Sequence, residues 1–390
     1  MEKHFDIKIT RTSFAIAFLM VVFGTGMSLL PAGWKIARSG PVQQLPAVLR
    51  RKLPACFPHK HRFVDLNGGA CHAIGRRMCN ARLLYGNGYL DYKYTRDRSH
   101  IEPFVESTAA FSGLVRELGI PFLYVQAPCK LALERGQMPA GLVISNPNET
   151  ALRVEAELAE HGVRTLDLVR VLVATWDDVE ANFYRTDHHW RGRAAFKVAG
   201  IVARELADIL DDPTLRDPPQ LDIGNWTSRM KKRFFLGSHG RRTGRFFAGV
   251  DDFEYFVPKF ETDIRRYELG KLQARGTFAK SVLDMSFLSR ALHVRNVYGV
   301  YGVDKREVVY VNEKARSRTK VLFVKDSFAN PVVDFLSTVC RQVIKVDPRM
   351  CASRDAILGI VRKHRPDIVV MLVNPSALGN DKYIWEEKRN

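Results

Sequence analysis

An acid, two imidazoles and an indole stand side by side at Asp187-His188-His189-Trp190, just ahead of a helical pattern. In extended backbone a carboxylate two residues from an imidazole shares its face. There it fixes the ring's tautomer and supports the imidazolium that forms when the ring accepts a proton. On the same spacing His188 faces elsewhere and Trp190 packs on the sheet. A hydroxyl to supply that proton occurs in a second stretch, Val321-Leu322-Phe323-Val324-Lys325-Asp326-Ser327-Phe328, where an apolar strand runs into a serine that opens a helix. Strand ends are where open parallel sheets place functional groups, and free backbone N–H groups there suit an oxyanion. Asp187, His189 and Ser327, brought together, are equipped for acyl transfer.

Plainer readings stand beside this one. Asp-Ser at a helix start is often only a cap. Asp187 and the histidines also suit polar groups closing a loop, or a metal site, but further ligands are missing: His161 and His239 lie in unrelated patterns. Asn374 leaves the last strand where its amide would face an oxyanion, or it merely forms the turn before Pro375. Arg349, after Asp347-Pro348, suits a sugar carboxylate or is a surface charge. Tyr184 and Arg241 complete the candidate substrate-binding set. Arg241 belongs to a glycine-rich loop, Gly237-Ser238-His239-Gly240-Arg241, that would cover the site. The loop lacks the spacing of a phosphate-binding loop, so no nucleotide is inferred. No cofactor and no metal are expected.

The elements that must position these groups alternate. Helical patterns over Glu102–Leu118, Glu149–His161, Arg193–Leu210, Phe328–Val339 and Ser353–His364 are interleaved with apolar runs. Those runs, at Pro121–Gln126, Val163–Leu168, Val308–Val311, Val321–Val324, Gln342–Val346 and Ile368–Val373, read as strands. Such alternation predicts a mostly parallel sheet covered on both faces. Residues 211–307 mix aromatic, basic and glycine residues without a clear period and read as an irregular cap insertion.

Ahead of this domain, Ser13–Leu30 is apolar and uncharged, about the length of a membrane span. Residues 1–33 are therefore expected to be a cytoplasmic tail and transmembrane signal anchor, with a cleaved signal peptide and secretion as the alternative. Residues 34–60, basic and proline-containing, read as a juxtamembrane linker, and 61–390 as the α/β domain. Six cysteines suit an exported domain, with Cys71–Cys79 and Cys340–Cys351 the pairs suggested by proximity. A net charge of +18 favours anionic partners. The basic residues are scattered and no zinc-finger or RNA-binding motif occurs, so nucleic acid is not expected as a partner.

Together the Asp-His-His-Trp and Lys-Asp-Ser stretches resemble the DHHW-type proteins, related to the alginate O-acetyltransferase group of the SGNH hydrolase superfamily. The resemblance spans roughly Leu123 to Leu378. It implies a flavodoxin-like three-layer α/β/α domain in which the Asp-x-His element precedes the serine. By position it implies Ser327 as nucleophile, His189 as general base, Asp187 as its orienting acid and Asn374 in the oxyanion hole. Two departures stand out: Lys325 replaces the glycine usual before Asp-Ser, and the second oxyanion glycine has no counterpart near Asp347–Met350. The implied activity is a membrane-anchored O-acetyltransferase or acetylesterase on a cell-surface or exported polysaccharide, acidic or neutral. A membrane acyl-donor protein would be a partner. The competing class is a glycan-binding or assembly subunit without catalysis. A basic surface protein for anionic lipid or nucleic acid has the fewest supporting residues.

Overall fold

Strands that are apolar on every residue must be covered on both faces, and the architecture follows from that need. The structure, a computed structural model, describes residues 59–94, 101–134, 136–137, 145–289, 292–293, 296–302, 304–378 and 380–384. The chain divides into two compact units, Met1–Asn67 and Gly68–Asn390. Of the first, only the start of the helix Lys60–Ala73 is described. The apolar run Ser13–Leu30 lies outside the described residues. Among those described, no helix is long and apolar enough to cross a membrane.

In the second unit the end of the helix Lys60–Ala73 is followed by three short antiparallel strands, β1 (Met78–Cys79), β2 (Arg82–Leu84) and β3 (Leu90–Tyr92). Its main sheet has eight strands. β4 (Phe122–Gln126), β5 (Arg164–Asp167), β11 (Lys320–Lys325), β12 (Gln342–Val346) and β13 (Ile368–Val373) are parallel. β8 (Ile264–Glu268), β9 (Lys271–Gly276) and β10 (Val308–Asn312) extend one edge antiparallel. The order is β5-β4-β13-β11-β12-β10-β8-β9. If β11 is counted as first, then β12, β13, β4 and β5 in turn, the parallel part reads 2-1-3-4-5 from the β12 side. That is the flavodoxin-like order with the chain start moved. The strand order switches from one side to the other between the parallel neighbours β11 and β13, so the crevice that such folds use for ligands lies beyond the ends of these two strands.

Successive residues of each strand enter opposite cores. Leu123, Val125, Val321, Phe323, Val370 and Leu372 pack with the helices Gly192–Leu210 and Ala329–Leu336. Tyr124, Leu322, Val324, Val369 and Met371 pack with the helices Ile101–Glu117 and Arg354–His364. The three-layer α/β/α arrangement and the boundaries of the core elements agree with expectation to within a few residues.

Three expectations are corrected. β10 was expected in a parallel sheet but runs antiparallel to β12, so the sheet is mixed. Residues 211–307 are not an irregular cap. They contain a hairpin of β6 (Trp226–Phe235) with β7 (Asp251–Pro258), and the β8–β9 hairpin that joins the main sheet. Leu269 and Gly270, both at positive φ, make the two-residue turn of the latter; Leu-Gly is a weak sequence signal for it. Finally, Cys71, Cys79, Cys129, Cys340 and Cys351 are buried and form no disulfide among the described residues. Cys340 and Cys351 lie in the cores on opposite faces of the sheet, which excludes their pairing. Cys71 and Cys79 are in contact as thiols.

The lysine at the end of β11 belongs to a buried cluster of charges. Lys325 is buried, and its ammonium meets Asp304 Oδ1 at 2.8 Å and Asp347 Oδ2 at 3.3 Å. Arg349 closes the cluster on the same two carboxylates, at 2.7 and 2.6 Å. Replacing Lys325 by Met would leave Asp347 buried with one cation fewer. The expected loss is about 3 kcal/mol of unfolding free energy, measured by urea titration of both proteins.

Candidate active site

The loop carrying the acid and imidazoles is held shut at its ends. Phe183 and Trp190 form an isolated antiparallel bridge, and the Tyr184 N–H donates to the His189 carbonyl at 3.3 Å. Within it the chain bends, so Asp187 and His189 meet by a turn and not by the alternation of an extended strand. Thr186 ties the loop outward: its N–H and its hydroxyl both donate to Asp251 Oδ2 at 2.7 Å. From beneath, the buried Lys130 ammonium donates to the carbonyls of Tyr184, Arg185 and Asp187 at 3.0, 3.1 and 2.6 Å. Burial lowers the Lys130 amine to about 8, against the opposing pull of Asp91, Asp187 and Asp251.

Asp187 is fully buried and is met by four donors. Its Oδ1 takes the His189 N–H at 3.0 Å and lies 2.6 Å from His189 Nδ1. Its Oδ2 takes the Ser238 N–H at 2.5 Å and the Asn296 side-chain amide at 3.0 Å. Burial works to raise this carboxyl, but the His188 and His189 imidazoles and the hydrogen bonds outweigh it and hold it well below the usual range. On the other side of the ring, His189 Nε2 lies 2.8 Å from Ser327 Oγ. The His189 ring is stacked 3.9 Å from Tyr298 at 12° and flanked by Phe328 at 5.1 Å, which leaves it little freedom to turn.

Ser327 sits in the turn between β11 and the helix Ala329–Leu336. Asp326 builds that turn by accepting the Phe328 N–H at 2.8 Å and the Asn374 N–H at 2.7 Å, and so joins the ends of β11 and β13. Burial raises the Asp326 carboxyl to about 6, opposed by those two amides. Asn374 uses its side-chain oxygen to cap the turn at Ser376. Its NH₂ and the Ser327 N–H donate to no group among the described residues. Both residues lie just beyond the ends of the neighbouring strands β11 and β13. In chemical terms the site offers a hydroxyl, a base against it, a buried acid behind the base and two spare donors.

Other expected residues fall elsewhere. Tyr184 is core: it is buried with Phe253 and Phe235 against its ring, so it does not line a substrate site. Arg349 is spent on Asp304 and Asp347 and is not free for a sugar carboxylate. Arg241 is half-buried near Asp187, and its Nε has no hydrogen-bond partner among the described residues. His188 does not face elsewhere; its ring lies 3.9 Å from that of His189. Asp187, His188 and His189 offer ligand atoms within 4.8 Å of one another. However, Asp187 Oδ1 faces His189 Nδ1 at hydrogen-bond distance, an arrangement that shares a proton more readily than an ion.

Sequence reasoning missed Lys130, Ser238's amide, Asn296 and Tyr298 as supports of Asp187 and His189. Only the glycine-rich loop was a signal: a Cβ on Gly237 would come 2.3 Å from Asp187 Cβ and 2.6 Å from the Thr186 carbonyl oxygen. Gly237→Ala should push Asp187 off His189 and abolish the downfield proton resonance of their hydrogen bond, read by one-dimensional NMR. Lys130→Met should leave three carbonyls without their donor and cost about 3 kcal/mol of stability, measured by urea denaturation.

Comparison with known proteins gives one family match: the model described as SGNH hydrolase-like domain, acetyltransferase AlgX, over residues 85–222. It includes Asp187 and His189 and ends before Ser327. No curated protein matches the sequence. Among solved structures, PatB1 of Bacillus cereus is similar with a TM-score of 0.61 at 17% identity, covering 76% of this chain and 96% of that one. PatB1 with a sulfonyl adduct gives 0.59 at 16% identity over 78% and 99%. A DHHW family protein from Eubacterium siraeum gives 0.60 at 16% identity over 80% and 98%. At these identities the structures establish a shared fold. The family match over residues 85–222 and the shared fold agree with the resemblance carried by Asp187-His188-His189-Trp190 and Lys325-Asp326-Ser327: the chain is similar to the SGNH hydrolase-like domain of AlgX in sequence over that stretch and to a DHHW family protein in fold.

Proposed function

We propose that the chain is a serine-dependent O-acetyltransferase or acetylesterase acting on a cell-surface or exported polysaccharide. The observation that carries this reading is the line of hydrogen bonds from Asp187 through His189 to Ser327, 2.6 and 2.8 Å long, between residues 138 positions apart in sequence. Ser327 Oγ attacks an acyl carbonyl while His189 Nε2 takes its proton. Asp187 holds the ring and stabilises the imidazolium. The carbonyl oxygen, now negative, is met by the Ser327 N–H and the Asn374 NH₂. Collapse expels the alcohol of the donor ester, which leaves with the proton from His189. A sugar hydroxyl or water then attacks the acyl-serine with His189 again as base, and Ser327 is regenerated.

Supporting the acyl class are the description of the matched family as an acetyltransferase and the sulfonyl adduct carried by the structurally similar PatB1. The apolar run Ser13–Leu30 supports an anchored domain outside the cytoplasm, and the net charge of +18 supports acidic glycans as substrates. Under this reading Ser327→Ala and His189→Ala each lower the turnover of p-nitrophenyl acetate by more than about a thousandfold. A sulfonyl fluoride adds one sulfonyl group to the wild-type chain and none to Ser327→Ala, followed by intact-protein mass spectrometry. Equal turnover or equal labelling of the variants would refute the assignment.

A further inference from the structure

Three histidines gather at the site, and they are not equivalent. The His189 and His239 side chains are 6% and 0% exposed, whereas that of His188 is 29% exposed. His239 is tied into the interior, accepting from Arg82 Nε at 2.9 Å. His188 lies with its ring 3.9 Å from that of His189, and its Nδ1 is 2.7 Å from Ser238 Oγ. Its Nε2 has no hydrogen-bond partner among the described residues and is not among the buried polar atoms. Resting on the serine reading above, we infer that His188 binds the acceptor: its Nε2 holds a second oxygen of the incoming polyol, adjacent to the hydroxyl that His189 deprotonates.

The chemistry of the pair suits a hydroxyl. A serine hydroxyl can give or accept a hydrogen bond. When Ser238 donates to Nδ1, the proton of the neutral ring stands on Nε2 and is offered to an oxygen. When Ser238 accepts from Nδ1, Nε2 is a bare acceptor for an O–H. Burial, then the charge on His189, pushes the His188 imidazole well below its ordinary value, so the ring stays neutral while its neighbour carries the transferred proton. The two imidazoles have centroids 3.9 Å apart and planes tilted by 36°, and their Nδ1 atoms lie 3.6 and 2.6 Å from Asp187 Oδ1; each Nε2 is then left for one oxygen of a vicinal diol. In the transfer step one hydroxyl oxygen bonds to the acyl carbon, its proton passes to His189 and then to the departing Ser327 Oγ. The neighbouring hydroxyl keeps its proton and stays on His188. Water fills only the first place, so His188 favours transfer to a sugar over hydrolysis.

The test uses the full chain with p-nitrophenyl acetate as donor and either myo-inositol, which has vicinal hydroxyls, or cyclohexanol, which has one, as acceptor. The readout is the ratio of acetylated acceptor to free acetate, which cancels changes in acylation rate. The wild-type protein should give a ratio roughly tenfold higher with inositol than with cyclohexanol, the worth of one added hydrogen bond. His188→Phe should lose that preference and His188→Gln should recover part of it. Ser238→Ala, which unties Nδ1, should lower it. An undiminished preference in His188→Phe overturns the inference. So does a wild-type protein indifferent to the two acceptors, which keeps the question decidable if the Phe variant does not fold. Release of p-nitrophenol that survives Ser327→Ala identifies a failure of the serine reading itself, and this inference falls with it.

Discussion

A carboxylate taken out of water must be met by donors or give up its charge, and the site is built round meeting that demand at Asp187. Two donors come from His189 itself, one from the backbone at Ser238 and one from Asn296. They arrive from three separate parts of the chain. The loop that carries Asp187 has in turn to be fixed, and Lys130 does this from below while Asp251 holds Thr186 from the side. The dependence runs one way: without the close approach allowed by Gly237, the Ser238 amide does not reach Asp187.

The other half of the site depends on the sheet. Counting from β11 gives the flavodoxin-like order, and the strand order switches sides between β11 and β13. Ser327 and Asn374 leave the ends of these two neighbouring strands, and Asp326 bonds them together across the gap. The serine lies on the strand that is first in the architecture and third among the five parallel strands in sequence. This is why the Asp-x-His stretch precedes it: the ordering of motifs records where the chain starts, not a different geometry.

Charge is treated differently at the ends of adjacent strands. At Asp326 burial outweighs two backbone amides and the more weakly felt charges of Arg349 and Lys325, and the carboxyl is raised to about 6. Next to it Lys325, with Asp304, Asp347 and Arg349, forms a cluster of two cations and two carboxylates whose charges cancel. Lys325, a departure from the glycine that the resemblance implies, is accommodated because its ammonium points into this cluster. The same cluster removes Arg349 from any contact with substrate.

The periodicities of the sequence determined the core elements, because a buried parallel strand must be apolar throughout and a covering helix must carry an apolar face. The pairing of Asp187 with His189, and Ser327 at a strand end, were likewise legible, since a nucleophile, a base and an acid are few residue types with few arrangements. What the sequence concealed was everything decided at long range. The antiparallel edge of β8, β9 and β10 depends on which strand each one meets, and residue pattern is silent on partner choice. Tyr184 and Arg349 were misread because polarity alone does not say whether a side chain meets solvent, an aromatic core or an opposite charge. Lys130, Asn296 and Tyr298 are ordinary residues in sequence; only the tertiary structure sets them against Asp187 and His189, because the donors that satisfy a buried charge are chosen by distance in space and not along the chain.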